Sequence, residues 1–196
     1  MTASLDRYLN EKFLGLKLES PLFYNADIGI RFEIGDPDPL VSDEKYREQV
    51  HSRSTHLFKK AHSDSDELFI VLFLDFQRKR KPYNIKVFKN GVKNKKTLKK
   101  LNCNSIAFSD EEDDGWVSYR YVLGCKASDI KAAMFLFSRY RIFFVNITRD
   151  TIFYFYDSRG LDIVSNSKGP LQNLYFNYNH WILDYDRASI DSIFKS

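Results

Sequence analysis

Hydrophobic positions recur along this chain with two periods, and the period identifies each element. Leu5, Leu9, Phe13 and Leu16 fall at helical spacing and predict a short amphipathic helix at the N-terminus. In "GIRFEIG", residues 29–35, Ile30, Phe32 and Ile34 alternate with other residues, the pattern of a half-buried strand. Pro37 and Pro39 end it, since neither can donate to a ladder. Ser42 can cap the next helix, with acids in its first turn and Tyr46, Val50, Leu57 and Ala61 roughly on one face. "ELFIVLFLDF", residues 67–76, is apolar on both sides and too short to span a membrane, so it reads as a central strand.

"WVSYRYVLG", residues 116–124, alternates again and returns to the sheet. "ASDIKAAMFLFSRY" predicts a helix capped by Ser128 or Asp129, with Ile130, Met134 and Phe137 or Leu136 facing inward. "RIFFVNIT" and "TIFYFYD" flank Arg149–Asp150, which predicts a hairpin with a two-residue turn. "GPLQNLYFNYNHWI" puts Pro170 at a first helical position, and "RASIDSIF" closes the chain with Ile190, Ile193 and Phe194 buried. Neighbouring strands and a hairpin, without strict strand–helix alternation, predict an α+β fold. The expected architecture is a mostly antiparallel sheet of about five strands with helices packed on one face.

Composition agrees with one core. The chain has 196 residues, 43% of them hydrophobic and 16% aromatic, and no linker divides it, so a single domain over 1–196 is expected. Charge adds a local feature. Residues 77–100 hold eleven basic side chains and no acid; without them the chain's +4 becomes −7. Pro82, Gly91 and dense like charge oppose one stable helix there, so an exposed basic excursion with short helical pieces is expected. Residues 110–114, "DEEDD", form an acidic loop directly after it.

Arg78, Lys79, Arg80, Lys81, Lys95, Lys96, Lys99 and Lys100 are the candidate binding residues. Tyr83 and Phe88 are interleaved among them, so phosphate contact with base stacking is one use and an acidic protein partner another. No nucleic-acid motif surrounds them. Tyr83, Tyr119 and Tyr121 are candidate aromatic anchors for a partner.

Two acid-and-arginine clusters lie against the apolar segments: Asp157, Arg159 and Asp162, then Asp184, Asp186 and Arg187. "DSRG", from Asp157 to Gly160, has the composition of a β-turn, with Arg159 and Asp162 facing solvent beside it. Asp184 or Asp186 can accept from the N–H groups that open the last helix. The sharper alternative brings Asp157, Asp162, Asp184 and Asp186 together as a divalent-cation site or an acid–base pair.

Other constellations are missing. His51, His56, His62 and His180 give no i, i+4 pair and read as surface or boundary histidines. Cys103 and Cys125 stand apart and read as free thiols, Cys103 being at most a weak nucleophile. There is no nucleophile elbow, glycine-rich phosphate loop or dinucleotide fingerprint, so no cofactor and no metal are expected. "MTASLDRYLNEKF" has no apolar core of a signal peptide and no apolar run reaches membrane-spanning length, so a cytoplasmic protein is expected.

The C-terminal part resembles a bacterial family of unknown function that carries Y-D-x-R-G-x-D-I/V followed by L-Y-x-x-Y-N-x-W-I-L-D-Y-D-R. Here these are Tyr156, Asp157, Arg159, Gly160, Leu161, Asp162 and Ile163, then Leu174, Tyr175, Tyr178, Asn179 and Trp181 to Arg187. Ser158 departs from the family, where a second acid is common, which weakens an acidic pair at that turn. The resemblance implies a bacterial, cytoplasmic setting and no mechanism. Small charged bacterial α+β proteins suggest by analogy a non-enzymatic interaction protein of immunity or antitoxin type, with a protein partner. A nucleic-acid-associated protein using residues 78–100 is the alternative, and a divalent-dependent hydrolase or nuclease using the aspartates the third.

Overall fold

The computed structural model describes residues 2–77, 85–107 and 116–195. Among them, seven strands form one sheet: β1 (Ile28–Glu33), β2 (Glu67–Gln77), β3 (Asn102–Ala107), β4 (Trp116–Lys126), β5 (Arg141–Asn146), β6 (Thr151–Asp157) and β7 (Gly160–Ser165). Their spatial order is β1-β7-β6-β5-β2-β4-β3, and every neighbouring pair is antiparallel. The antiparallel α+β architecture agrees with the sequence, but the sheet has seven strands where about five were expected. β3 and β7 are the additions. Polar "NCNSIA" hid β3, and Asp162 in the middle of β7 made that strand look like an extension of the turn.

Both faces of the sheet are buried. Ile30, Phe32, Leu68, Ile70, Phe144, Phe153 and Leu161 point to one core, and Phe69, Val71, Phe143, Val145, Ile152 and Val164 to another. The first face is covered by α2 (Asp43–Ala61), α3 (Lys86–Gly91), α4 (Ala132–Leu136), α5 (Gly169–Asn177) and α6 (Arg187–Phe194). The second is covered by α1 (Thr2–Lys12), through Leu5 and Leu9, and by the following segment through Phe13, Leu18 and Leu22. Helices therefore lie on two faces and not one. The reason is the period-two pattern: strands such as β2 are apolar on both sides, and each side needs a cover.

Ser42 caps α2 by accepting from the Lys45 N–H at 3.4 Å. α4 is shorter than expected, and its inward residues are Phe135 and Leu136; Ile130 is buried before the helix, in a bridge to Val92, while Met134 and Phe137 are exposed. The basic excursion is also corrected in part. Val87, Phe88 and Val92 are buried in the first core, Phe88 against Phe135, so residues 85–92 belong to the core and only Lys86, Lys89 and Asn90 reach solvent. The β5–β6 connection holds four residues, 147–150, with Asp150 at φ 52°.

Candidate functional site

The most concentrated chemistry lies where β1 meets β7. Register sets Arg31 opposite Asp162, both on the second face of the sheet. Arg31 Nε donates to Asp162 Oδ1 at 2.8 Å and Nη2 to Oδ2 at 3.1 Å, a bidentate fork. The backbone N–H of Phe23 adds a third donor to Oδ2 at 3.0 Å. Arg31 is 7% exposed and Asp162 fully buried. Burial raises the Asp162 carboxyl above its ordinary value, against the pull of the guanidinium and the Phe23 N–H.

A second carboxylate meets the same guanidinium. Asp186 Oδ2 lies 3.5 Å from Arg31 Nη1 and has no hydrogen-bond partner, while Oδ1 accepts from the Tyr24 hydroxyl at 2.9 Å. Tyr24 lies over the Arg31 guanidinium at 4.5 Å, with Phe23 and Tyr156 at 5.3 Å. The guanidinium is thus held by two acids at its edge and three aromatic rings at its faces. Asp186 does not cap α6, whose first residue is Arg187; its side chain is spent on Tyr24 and Arg31. Asp162, expected to face solvent, is the most buried acid of the two clusters.

Beside this group opens a cleft of about 550 Å³, lined by Arg31, Glu33, Asp36, Tyr46, Tyr156 and Arg159 among others. Arg159 and Asp157 form the turn expected of them. Asp157 Oδ1 accepts the Arg159 N–H at 2.8 Å, and Oδ2 takes Nε at 3.0 Å and Nη2 at 2.6 Å. The Arg159 carbonyl in turn accepts the Ile34 N–H at 3.0 Å, so the turn closes the end of β1. Gly160 is required for space and not for positive φ. A Cβ there would strike the Tyr156 hydroxyl and come within 2.8 Å of the Phe32 carbonyl oxygen.

The remaining cluster residues act locally. Asp184 pairs with Arg187 Nε at 2.8 Å, and Arg187 reaches Asn179 Oδ1 and the carbonyls of Asn179 and Ile182, tying the turn before α6 to the end of α5. Trp181 stacks on Tyr178 and lies under Arg53. The four aspartates do not converge: Asp162 and Asp186 share Arg31, and Asp157 and Asp184 serve their own arginines. Among the described residues no group of three His, Cys, Asp or Glu side chains is placed to hold a metal ion.

Residues 5–186 match the family described as "Domain of unknown function (DUF3885)". The chain belongs to that family. It is similar to the "Uncharacterized protein YnaE" of Bacillus subtilis (strain 168), 24% identical over 205 residues that cover 91% of this chain and 96% of the relative. No solved structure matches it.

In this DUF3885 chain the other sequence candidates are dispersed. Arg78, Lys79, Arg80 and Lys81, Tyr83 and the acidic loop 110–114 lie outside the described residues. Lys95, Lys96, Lys99 and Lys100 are exposed around the short 3₁₀ turn Thr97–Lys100 that leads into β3. Tyr119 and Tyr121 are buried on the inner face of β4 and cannot anchor a partner. His62 is buried, stacked on Phe58, and not a boundary residue. Cys103 and Cys125 are free, and burial raises both thiols, Cys125 to about 12. Among the described residues no helix is long and apolar enough to cross a membrane.

Tyr24 and Arg31 were not singled out in the sequence. Arg31 had one available signal, as the lone basic residue inside the alternating run Ile30–Ile34. Tyr24 had none, because its place depends on a loop that folds back over β1 and β7.

Proposed function

We propose that this is a non-enzymatic interaction protein that binds a protein partner on the face around Tyr24 and Tyr185, beside the Arg31 cleft. Tyr24 supports it most directly: it is 54% exposed, yet its hydroxyl is tied to Asp186 and its ring lies on Arg31. An exposed aromatic that is already fixed loses little freedom on binding, the property of a preorganised anchor. Tyr185, 86% exposed, stands one residue before Asp186 and extends the same face. Charged Arg159 and Asp184 lie out in solvent at its edges, where they would steer an encounter more than strengthen it. The saturation of Asp162 and Asp157 by internal donors favours binding over acid–base chemistry. The finer form of this proposal is an immunity or antitoxin role, in which the partner is a toxin.

The test is purification of the tagged full-length chain from its native host, with Tyr185→Ala and Tyr24→Ala/Tyr185→Ala beside it. A stoichiometric protein should co-elute with the parent and be lost from both variants, whose far-UV circular dichroism stays unchanged. Equal recovery of the same proteins by parent and variants would sink the proposal. Magnesium- or manganese-dependent phosphodiester turnover that disappears in Asp162→Asn/Asp186→Asn would replace it with the hydrolase.

A further inference from the structure

The two edges of the sheet are finished differently. At β1 the outer edge is closed: the Leu183 N–H donates to the Arg31 carbonyl at 2.9 Å and Ile182 bridges Phe32. At the other end of the sheet, β3 pairs with β4 alone, and among the described residues nothing lies in ladder with its outer side. Natural sheets protect such edges with proline, inward charges or bulges, because a row of unpaired N–H and C=O groups templates another strand. Within Asn102–Ala107 β3 has none of these devices, although the Thr2 hydroxyl donates to Asn102 Oδ1 at 3.2 Å. Its sequence is "NCNSIA", its register with β4 is unbroken over six pairs, and Asn102, Asn104, Ser105 and Ile106 are exposed.

The approach to this edge is basic. Lys93 Nζ donates to the Ser128 carbonyl and Lys95 Nζ to that of Val92, so both are held in place. Lys96, Lys99 and Lys100 are exposed and form no ion pair among the described residues. Three ammonium groups outside any ion pair among the described residues thus precede the first residue of β3, Lys100 lining a cleft with Cys125 and Asp129. We infer that the outer edge of β3 is a docking site for an extended acidic segment of a partner protein. That segment adds as a further strand and sets its carboxylates against Lys96, Lys99 and Lys100. Backbone bonds supply its affinity and the lysines its sign preference and orientation. This surface is separate from the Tyr24 face.

The probe is a fluorescein-labelled peptide of about eight residues alternating glutamate and valine, long enough to pair along β3. It is titrated into the full-length chain at low salt and followed by anisotropy. Binding is expected, weakened tenfold or more by Lys96→Glu/Lys99→Glu/Lys100→Glu, and weakened again as salt rises past about 0.15 M. A peptide N-methylated at alternate residues cannot donate to β3 and should not bind, a control that leaves the protein untouched. Tyr185→Ala should leave this binding unchanged, so failure here and failure at the Tyr24 face read out separately. The inference falls if the parent ignores the peptide or if the N-methylated peptide binds as well. It also falls if a single-stranded oligonucleotide displaces the peptide with the same lysine dependence. Concentration-dependent dimerisation abolished by Ser105→Pro would assign the edge to a second copy instead.

Discussion

Arg31 and Asp162 face one another across β1 and β7 and join through two hydrogen bonds of 2.8 and 3.1 Å in a buried site that only Arg31 opens to the cleft. Such a pair is a weak net source of stability, since burying each charge costs about what their attraction returns. Its removal by halves is another matter. Arg31→Met strands Asp162 and Asp186 together without a cation and should cost about 3–5 kcal/mol. Asp162→Asn should cost less, because Asp186 Oδ2 remains 3.5 Å from Arg31 Nη1 and can take the charge. Urea unfolding of the two variants checks the order. Equal losses would mean that Asp186 does not share the guanidinium.

His62 makes the fold sensitive to mild acid. Its Nδ1 lies 2.8 Å from the Phe58 carbonyl, its Nε2 is buried without a partner, and burial lowers its pKa from 6.5 to about 4. The unfolded chain therefore takes up the proton first as pH falls. Stability is complete above about pH 6.5 and declines toward pH 4, by about 3 kcal/mol in all. Asp66, Asp150 and Asp157, all held below the ordinary aspartate value by their donors, add a separate loss at lower pH. Urea melts from pH 7 to pH 4 should slope in the parent and be nearly flat in His62→Phe. An unchanged slope in the variant would place the titrating group elsewhere.

What the residues disclosed in advance was local, and what they hid was long-range. The Asp157–Arg159 turn was legible because donor and acceptor lie two residues apart. Asp162 and Asp186 were misread because their partner, Arg31, stands 131 and 155 positions away, and only the β1–β7 register brings them together. The strands of alternating large apolar residues were found. β3 was not, since a strand at a sheet's edge can be as polar as a loop, and its only requirement is a neighbour such as β4. Met134 and Phe137 failed for a related reason: α4 is one and a half turns long, too short for a helical period to select a face.

Gly160 should tolerate no side chain. A Cβ at this position meets the Tyr156 ring and the Phe32 backbone at once, so Gly160→Ala should cost about 1–3 kcal/mol through overpacking. Shortening the ring by Tyr156→Leu in the same chain should recover only part of the loss, since the Phe32 carbonyl oxygen cannot move without breaking β1 from β7. Thermal unfolding of the single and double variants measures this. Full recovery would show that the ring alone makes the glycine necessary.

The N-terminal helix offers a choice between charge and packing as the force that seats it. Asp6 accepts both terminal nitrogens of Arg120 at 2.8 and 2.9 Å, and Asp150 takes the Tyr8 hydroxyl at 2.7 Å and Lys12 at 3.1 Å. These pairs lie partly in solvent, where each is worth about 0–1 kcal/mol. Leu5, the residue before Asp6 on the same turn, is fully buried against the second face of the sheet. Leu5→Ala should therefore cost about 2–5 kcal/mol, several times the effect of Asp6→Ala. If urea unfolding finds Asp6→Ala the costlier variant, the Asp6–Arg120 pair and not the apolar stripe holds α1 in place. High salt should then destabilise the parent, as it would not if Leu5 and Leu9 carry the contact.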